Sequence, residues 1–354
     1  MPDHLREIVS NEPVEASAPC RIDMGGTLDI STFYYPLRHL FPCTFNMAVD
    51  LRTRVRLLPH EPGRVKVSSV GFESAEFSLD DAPFEHPLGL IFAIAAYFRA
   101  EGVHIEIASG APVRSSLGGS SVAAVALVGA FSAVFDRIGL YRGLYRREIA
   151  ILAHALEESV AGTPCGLQDQ LAAAYGGVNA WHWFGRVKEG VFEKQKVMKR
   201  NAYPDLERRL LLAYCGSPHH SHDTNGRWIR QFVEGRHRER WATIIETTRR
   251  FIDAVSAGDF AAAAEAMNRE TALRREMTPE VLDETGVVLA DAAAEAGCGF
   301  RFTGAGGGGC VWALGEPDRI DSLRDVWEKT LENSEATRLL DVRIDPDGLK
   351  LPVL

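Results

Sequence analysis

Nine residues at 302–310, FTGAGGGGC, include five glycines. Glycine carries an entropic cost on folding and is used where the backbone needs positive φ or where another group comes very close. The flanks, GFRF and CVWAL, are short, apolar and β-prone. A strand–glycine loop–strand unit is either a wide turn or linker or a backbone surface that closes over a ligand, often phosphate. A second stretch, SGAPVRSSLGGSSVAAVALVGA from Ser109, has the form of a strand–loop–helix phosphate cradle. A helix start offers unpaired N–H groups and a partial positive charge. Gly118 and Gly119 let backbone approach phosphates, and Ser120 and Ser121 stand where one can cap the helix and another can bind metal. No lysine follows the glycines, so this is not a Walker-type loop; the bland alternative is an N-capped helix after a turn. Between the two stretches, Glu158 precedes Asp169 by 11 residues. A carboxylate near a phosphate loop can hold Mg2+ or take a proton from an attacking hydroxyl, and Asp169 taken alone can also be a helix cap.

These residues need a scaffold, and the pattern supplies one. Residues 46–59 and 64–79 read as strands, and PLGLIFAIAAYFRAEG reads as a helix ending at Gly102. VHIEIASGAPV is a strand with Val103, Ile105 and Ile107 on one face. SSVAAVALVGAFSAVF is a small-residue helix, RREIAILAHALEES another, and QLAAAYGGVNAWHW runs from helix through a glycine break to a strand. Beyond Pro204 come a short strand, RLLLAYCG, long helices to about Ala296, the glycine loop and a last strand–helix–strand. The coarse reading is two α+β domains joined near residue 205. The first 18 residues read as a polar, frayed tail.

Composition narrows the function. The 354 residues are 46% hydrophobic and 25% charged, ordinary for a globular chain. The net charge of −9 argues against a general nucleic-acid or membrane-surface binder. No apolar run approaches the roughly 20 residues needed to span a bilayer, and no signal-peptide pattern opens the chain. The six cysteines show no CxxC pairing, which suits free thiols in a reducing cytoplasm.

Three motifs in order resemble the GHMP kinase superfamily of galactokinases, homoserine kinases, mevalonate kinases and phosphomevalonate kinases: PCRIDMGGTLD from Pro19, PVRSSLGGSSVAA from Pro112 and FRFTGAGGGGCVWAL from Phe300. The second departs from the family wording, with Ser116 at a usual glycine and Gly119 at the usual first serine. Within the superfamily, RIDMGGTLD and GLQDQLAAAYGG are most similar to the fucose kinase and D-glycero-D-manno-heptose phosphate kinase branch, the first motif being one residue shorter. The resemblance implies an α+β, two-domain GHMP kinase fold. A ribosomal protein S5-like N-terminal domain would cover 19–205 and a ferredoxin-like C-terminal domain 206–354, after the tail at 1–18.

The same resemblance implies ATP- and Mg2+-dependent phosphorylation of a hydroxyl on a sugar or sugar phosphate. Asp169 is then the base and Arg21 lies near the transferred phosphoryl group. Ser115, Ser116, Leu117, Gly118, Gly119, Ser120 and Ser121, with Gly304, Gly306 and Gly307, hold the nucleotide. Ser120 and Glu158 hold the metal, with Ser121 and Glu157 as the alternatives. Asp29, Gly25, Gly26, Gln168 and Gly177 face the acceptor. A mevalonate-type kinase is weighed against by the absence of a lysine in the first motif. A non-catalytic sugar- and nucleotide-binding sensor is weighed against by Glu158, Asp169 and Ser120. His219, His220 and His222 form either a loop lining the sugar site or, with lower weight, a zinc site. Trp181 and Trp183 share one strand face and read as core or interface, and nothing activates Cys165 or Cys310. The expected partner is a small molecule, with no nucleic acid and no membrane; self-association as a homodimer is left open.

Overall fold

The computed structural model describes residues 2–11, 14–140, 142–186, 190–216, 221–332 and 334–351. The first part of the chain runs α1 (Pro2–Asn11), β1 (Val14–Met24), α2 (Ser31–Leu37), β2 (Cys43–Pro59), β3 (Arg64–Ser69), β4 (Ala75–Ser78), α3 (Gly89–Tyr97), β5 (Val103–Ser109), α4 (Gly119–Arg137), α5 (Arg146–Ala161), α6 (Gln168–Tyr175), β6 (Val178–Arg186), β7 (Gly190–Lys196) and α7 (Tyr203–Glu207). Its seven strands form one sheet in the order β4-β3-β5-β2-β6-β7, with β1 paired along β2. The long β2 makes this possible, pairing β6 through Cys43–Met47 and β5 through Thr53–Pro59. Helix α4 lies at the centre of this half, its small residues letting it pack closely on β1 and β2. It is also the one exception to the expectation about apolar runs. Among the described residues it alone is long and apolar enough to cross a membrane, and 78% of that stretch is buried inside the protein.

The second part runs β8 (Leu210–Tyr214), α8 (Ser221–Val233), α9 (Arg238–Ala257), α10 (Phe260–Met277), α11 (Glu284–Glu295), β9 (Gly299–Phe302), β10 (Cys310–Leu314), α12 (Pro317–Leu331) and β11 (Arg338–Leu339). The four strands pair antiparallel in the order β11-β8-β10-β9. Counted along the chain this is 4-1-3-2, the ferredoxin-like order, so the expected second-domain architecture is the one observed. Helices α9 and α10 tie the halves together: Phe251, Phe260 and Met267 pack into the first core, Trp241, Ile244 and Leu273 into the second.

Both termini depart from the sequence-based reading. The segment at 1–18 is not a frayed tail. Leu5, Ile8 and Val9 follow helical spacing, and in α1 Leu5 and Val9 are buried against the sheet; the polar average composition hid this stripe. At the other end, the chain beyond β11 leaves the second domain and returns to the first. Ser17 and Lys350 exchange backbone hydrogen bonds of 3.0 and 2.8 Å, and Asp345 N–H donates to Ala48 O at 2.9 Å. Trp181 and Trp183 are core: both are fully buried, and their indole N–H groups donate to Asn46 and Thr44.

Candidate active site

The phosphate-type loop is built by alternation of backbone hand. Arg114, Ser116 and Gly118 have φ of +56°, +63° and +82°, whereas the residues between them do not. Such alternation turns successive N–H groups toward one concavity suited to an anion. The loop ends at the start of α4, whose N-cap Gly118 makes no side-chain cap, so the helix N-terminus stays open to an anion. Each neighbour of the loop holds it by backbone. Arg21 N–H donates to Leu117 O at 3.2 Å and Cys310 N–H to Ser115 O at 2.9 Å, while Ser116 Oγ donates to Thr303 O at 2.8 Å. All three motifs therefore meet at residues 115–117. Leu117 itself is buried and contributes backbone only.

Neither serine at the helix start caps it. Ser120 Oγ and Ser121 Oγ donate to the two oxygens of Glu157 at 2.5 and 2.7 Å, and Gln170 Nε2 donates to the same carboxylate at 2.6 Å. Glu158, expected at the metal with Glu157 as its alternative, points elsewhere on α5 and accepts the Cys165 N–H at 3.1 Å. Adjacent helical residues project about 100° apart, so only one can face α4. The two hydroxyls and one carboxylate are hard oxygen donors, suited to a Mg2+ that arrives with phosphates. Among the described residues no group of three His, Cys, Asp or Glu is placed to hold a metal without them.

Asp169 stands on the first turn of α6, against the phosphate loop: a Cβ on Gly118 would lie 3.2 Å from its Oδ2. Arg21 grips it with two nitrogens, Nε to Oδ1 at 2.8 Å and Nη2 to Oδ2 at 2.9 Å, and commits Nη1 to Ser116 O at 2.7 Å. Burial works against the Arg21 charge, but the Asp169 and Asp23 carboxylates outweigh it and hold the guanidinium above its ordinary pKa. Asp29, bonded to the chain neighbour of Asp169, is buried. Its Oδ2 accepts the Gln168 N–H at 2.9 Å, while Oδ1 has no partner and the residue lines the cleft. Burial pushes its pKa up to about 6 against the pull of that hydrogen bond.

Behind these groups lies a buried chain of charge that the sequence reading missed. Asp23 Oδ1 accepts the Gly304 N–H at 2.7 Å, and Arg301 bridges Asp23 Oδ2 at 3.4 Å and Glu270 Oε2 at 2.8 Å. Glu270 in turn holds Arg274 at 2.8 Å, which donates to Gly26 O at 2.6 Å and lies over Trp228 and Trp241. Two signals were available: Arg21 and Asp23 share a strand face, and Glu270 and Arg274 have the helical i, i+4 spacing.

One cleft of about 380 Å³ gathers most of the expected residues, a size suited to a small ligand. Its lining includes Arg21, Gly26, Asp29, Ser115, Ser116, Gly118, Gly119, Ser120, Ser121, Gln168, Asp169 and Gly304. It does not include four of the expected glycines. Gly25 packs on Thr248, and Gly177 donates its N–H to Asp345 O and packs on Tyr203. Gly306 and Gly307 face Val281 and Glu280 rather than the loop at 115–121. Gly304 and Gly309 make the close approach instead: a Cβ there would lie 2.7 Å from Ser116 Oγ and 2.7 Å from Ser115 O, respectively. Cys165 also lines the cleft, its thiol pushed up to about 12 by burial. The side chains of His219, His220 and His222 lie outside the described residues. Beyond the phosphate loop the cleft opens into an apolar bay of Val70, Phe72, Leu88, Ile91, Ile107 and Val113. No motif marked that bay, because it is assembled from strand ends and a helix start.

An apolar bay, an anion cradle with oxygen donors, and an ion-paired carboxylate line one cleft. That is the layout of a small-molecule kinase. Comparison with known proteins agrees. The GHMP kinases N terminal domain matches residues 88–177, and the GHMP kinases C terminal family matches 251–333. A mevalonate kinase of Pyrococcus abyssi is 30% identical over 299 residues, spanning 75% of this chain and 80% of that protein. A D-glycero-alpha-D-manno-heptose 7-phosphate kinase of Campylobacter jejuni is 23% identical over 320 residues, 88% of this chain and 91% of that one. The crystal structure of Lactococcus lactis galactokinase complexed with galactose shares the fold, with a TM-score of 0.75, 19% identity, and coverage of 99% of this chain and 98% of that one. The chain belongs to the GHMP kinase superfamily, whose members are small-molecule kinases that use ATP as phosphate donor.

Proposed function

We propose that this protein transfers the γ-phosphoryl group of Mg-ATP to a hydroxyl of a sugar or sugar phosphate, with Asp169 as the base. The observation that carries this reading is the position of Asp169: it lies against Gly118 and lines the same cleft as buried Asp29 with its unpartnered Oδ1. A hydroxyl-rich acceptor suits that end. One hydroxyl would donate to Asp29 Oδ1, and the reacting one would donate to Asp169. Asp169 takes the proton as the acceptor oxygen bonds to the γ-phosphorus and the bond to the β–γ bridging oxygen breaks, releasing ADP. Arg21 keeps the carboxylate oriented, and the open N-terminus of α4 stabilises phosphate charge, so positioning and charge do most of the work. Glu157, Ser120 and Ser121 would hold Mg2+, which supplies charge neutralisation on the phosphates. The free cysteines throughout support a reducing, cytoplasmic setting.

A mevalonate-type acceptor is favoured by the 30% identity to the Pyrococcus abyssi enzyme. The charges weigh the other way. Among the described residues at the acceptor end the only cation is Arg21, already committed to Asp169, so an acceptor carboxylate would face Asp29 without a counterion. The test is ADP release from Mg-ATP across hexoses, deoxyhexoses, heptose phosphates, mevalonate and homoserine. Turnover on a sugar or sugar phosphate, lost by about 10²- to 10⁴-fold in Asp169→Asn, is the expected result. Turnover confined to mevalonate or homoserine would overturn the acceptor class, and ATP binding without turnover on any acceptor would favour a sensor.

A further inference from the structure

We infer that Arg114 is the cation that clamps the non-transferred phosphates of the nucleotide. The cleft is charged in a lopsided way. Among the described residues lining it, only Arg21 and Arg114 are positive. The inner charges balance among themselves: Arg21, Arg301 and Arg274 are paired with Asp169, Asp23 and Glu270. Arg21 has three of its hydrogen-bonding directions committed to Asp169 and Ser116. A Mg-ATP complex, with a net charge of about −2, would then find the helix N-terminus, worth about half a charge, and one uncommitted guanidinium. That guanidinium has no hydrogen-bond or ion-pair partner among the described residues.

The backbone at Arg114 is fixed while its side chain is free. Val113 packs on Gly71 on one side, and Ser115 is buried with its carbonyl bonded to Cys310 N–H on the other. Between these anchors Arg114 sits exposed at φ +56°, in the left-handed region. Glycine would occupy that conformation without strain, so what the position offers is the side chain. It lines the cleft between Val113 of the apolar bay and Ser115 of the phosphate loop in the chain, two residues before Ser116 and four before Gly118. A base in the bay and a γ-phosphate near Asp169 leave the α- and β-phosphates beside Arg114, and a guanidinium forks onto phosphate oxygens in two-point contacts.

This assignment rests on the ATP use of the superfamily, not on the sugar acceptor, and its test needs no acceptor. Arg114→Gly relieves the backbone and removes the cation; Arg114→Lys keeps charge without the fork. Calorimetric titration with Mg-ATP, ADP, AMP and adenosine reads the result. The glycine variant is expected to melt no lower than wild type, to bind ATP and ADP on the order of 10- to 100-fold more weakly, and to bind adenosine unchanged, with Arg114→Lys falling between. Wild-type ATP affinity in Arg114→Gly would overturn the assignment. So would an equal loss for adenosine, which would make Arg114 a base-stacking residue.

Discussion

Glu157 and Glu158 differ by one position and by every partner they hold. Glu157 collects Ser120, Ser121 and Gln170, whereas Glu158 ties down the loop before α6 through the Cys165 N–H. Glu157→Gln is therefore expected to raise the Mg2+ concentration for half-maximal activity by roughly tenfold or more, because the amide keeps the size and loses the charge that a hard cation needs. Glu158→Gln should leave that Mg2+ dependence unchanged. A Mg2+ titration of both variants at saturating ATP decides, and an unshifted midpoint in Glu157→Gln removes it from the metal site. Asp29 makes a different kind of statement. Its pKa is raised from 3.8 to about 6 by burial. Between about pH 4 and 6 the native protein keeps a proton that the unfolded chain has released, so this group's contribution to stability falls as pH rises through that window. The difference corresponds to on the order of 3 kcal/mol. Asp29→Asn stays neutral at every pH and retains an oxygen for the Gln168 N–H. Its melting temperature should match wild type near pH 4 and exceed it at pH 7; parallel melting curves across that range would show that Asp29 ionises normally.

At the scale of elements, the glycine loop between β9 and β10 packs on the loop at 115–116 through Gly304 and Gly309 rather than through Gly306 and Gly307. The motif wording identifies the loop, but five similar glycines cannot be ranked without their neighbours. Gly309 has φ +84°, and a Cβ added there would meet the Ser115 backbone within 2.8 Å, whereas around Gly307, at φ +80°, the nearest atom is 3.6 Å away. Both positions disfavour an L side chain, at about 1–3 kcal/mol of strain. Only Gly309→Ala must also push the phosphate loop. It is expected to weaken ATP binding about tenfold, while Gly307→Ala loses comparable stability and keeps its affinity. Calorimetry with thermal melts separates the two, and equal ATP affinities would mean that this contact does not shape the nucleotide site. The same limit explains what else was legible. The placement of Gly118, Ser120 and Asp169 at helix starts lining one cleft was readable because it is set by local structure. The choice of Glu157, the closure of the C-terminal segment on β1 and the buried partners of Asp23 depend on which faces meet across distances of up to 333 residues in sequence, from Ser17 to Lys350. One chain without its contacts does not encode that in any local pattern.

At the scale of the whole molecule, the two domains are joined through charge as well as through apolar packing. Glu270, on α10, is fully buried between Arg274 and Arg301, both also buried. Burial alone would raise the Glu270 pKa, but the Arg301 and Arg274 charges outweigh it and hold the carboxylate below its ordinary value. Arg301 carries the link to Asp23 on β1, and Arg274 carries it to the carbonyl of Gly26. Glu270 thus joins the two arginines that reach from the second domain to β1 and to the first-domain loop that precedes Asp29. Removing one partner of a buried ionic group leaves uncompensated charge and typically costs about 3–5 kcal/mol, a large share of the roughly 5–15 kcal/mol that stabilises a typical protein. Glu270→Ala is expected to lower the free energy of unfolding by that order and to raise KM for the acceptor in whatever protein remains folded, because Gly26 and Asp23 lose their fixed supports. Glu270→Gln keeps hydrogen-bond acceptance toward one arginine and should fall between the two. The measurement is chemical denaturation of all three proteins, with acceptor kinetics at a temperature well below the transition. If Glu270→Ala unfolds at wild-type denaturant concentration, the buried charges are balanced by solvent or by each other, and the network is not what holds the domains in register.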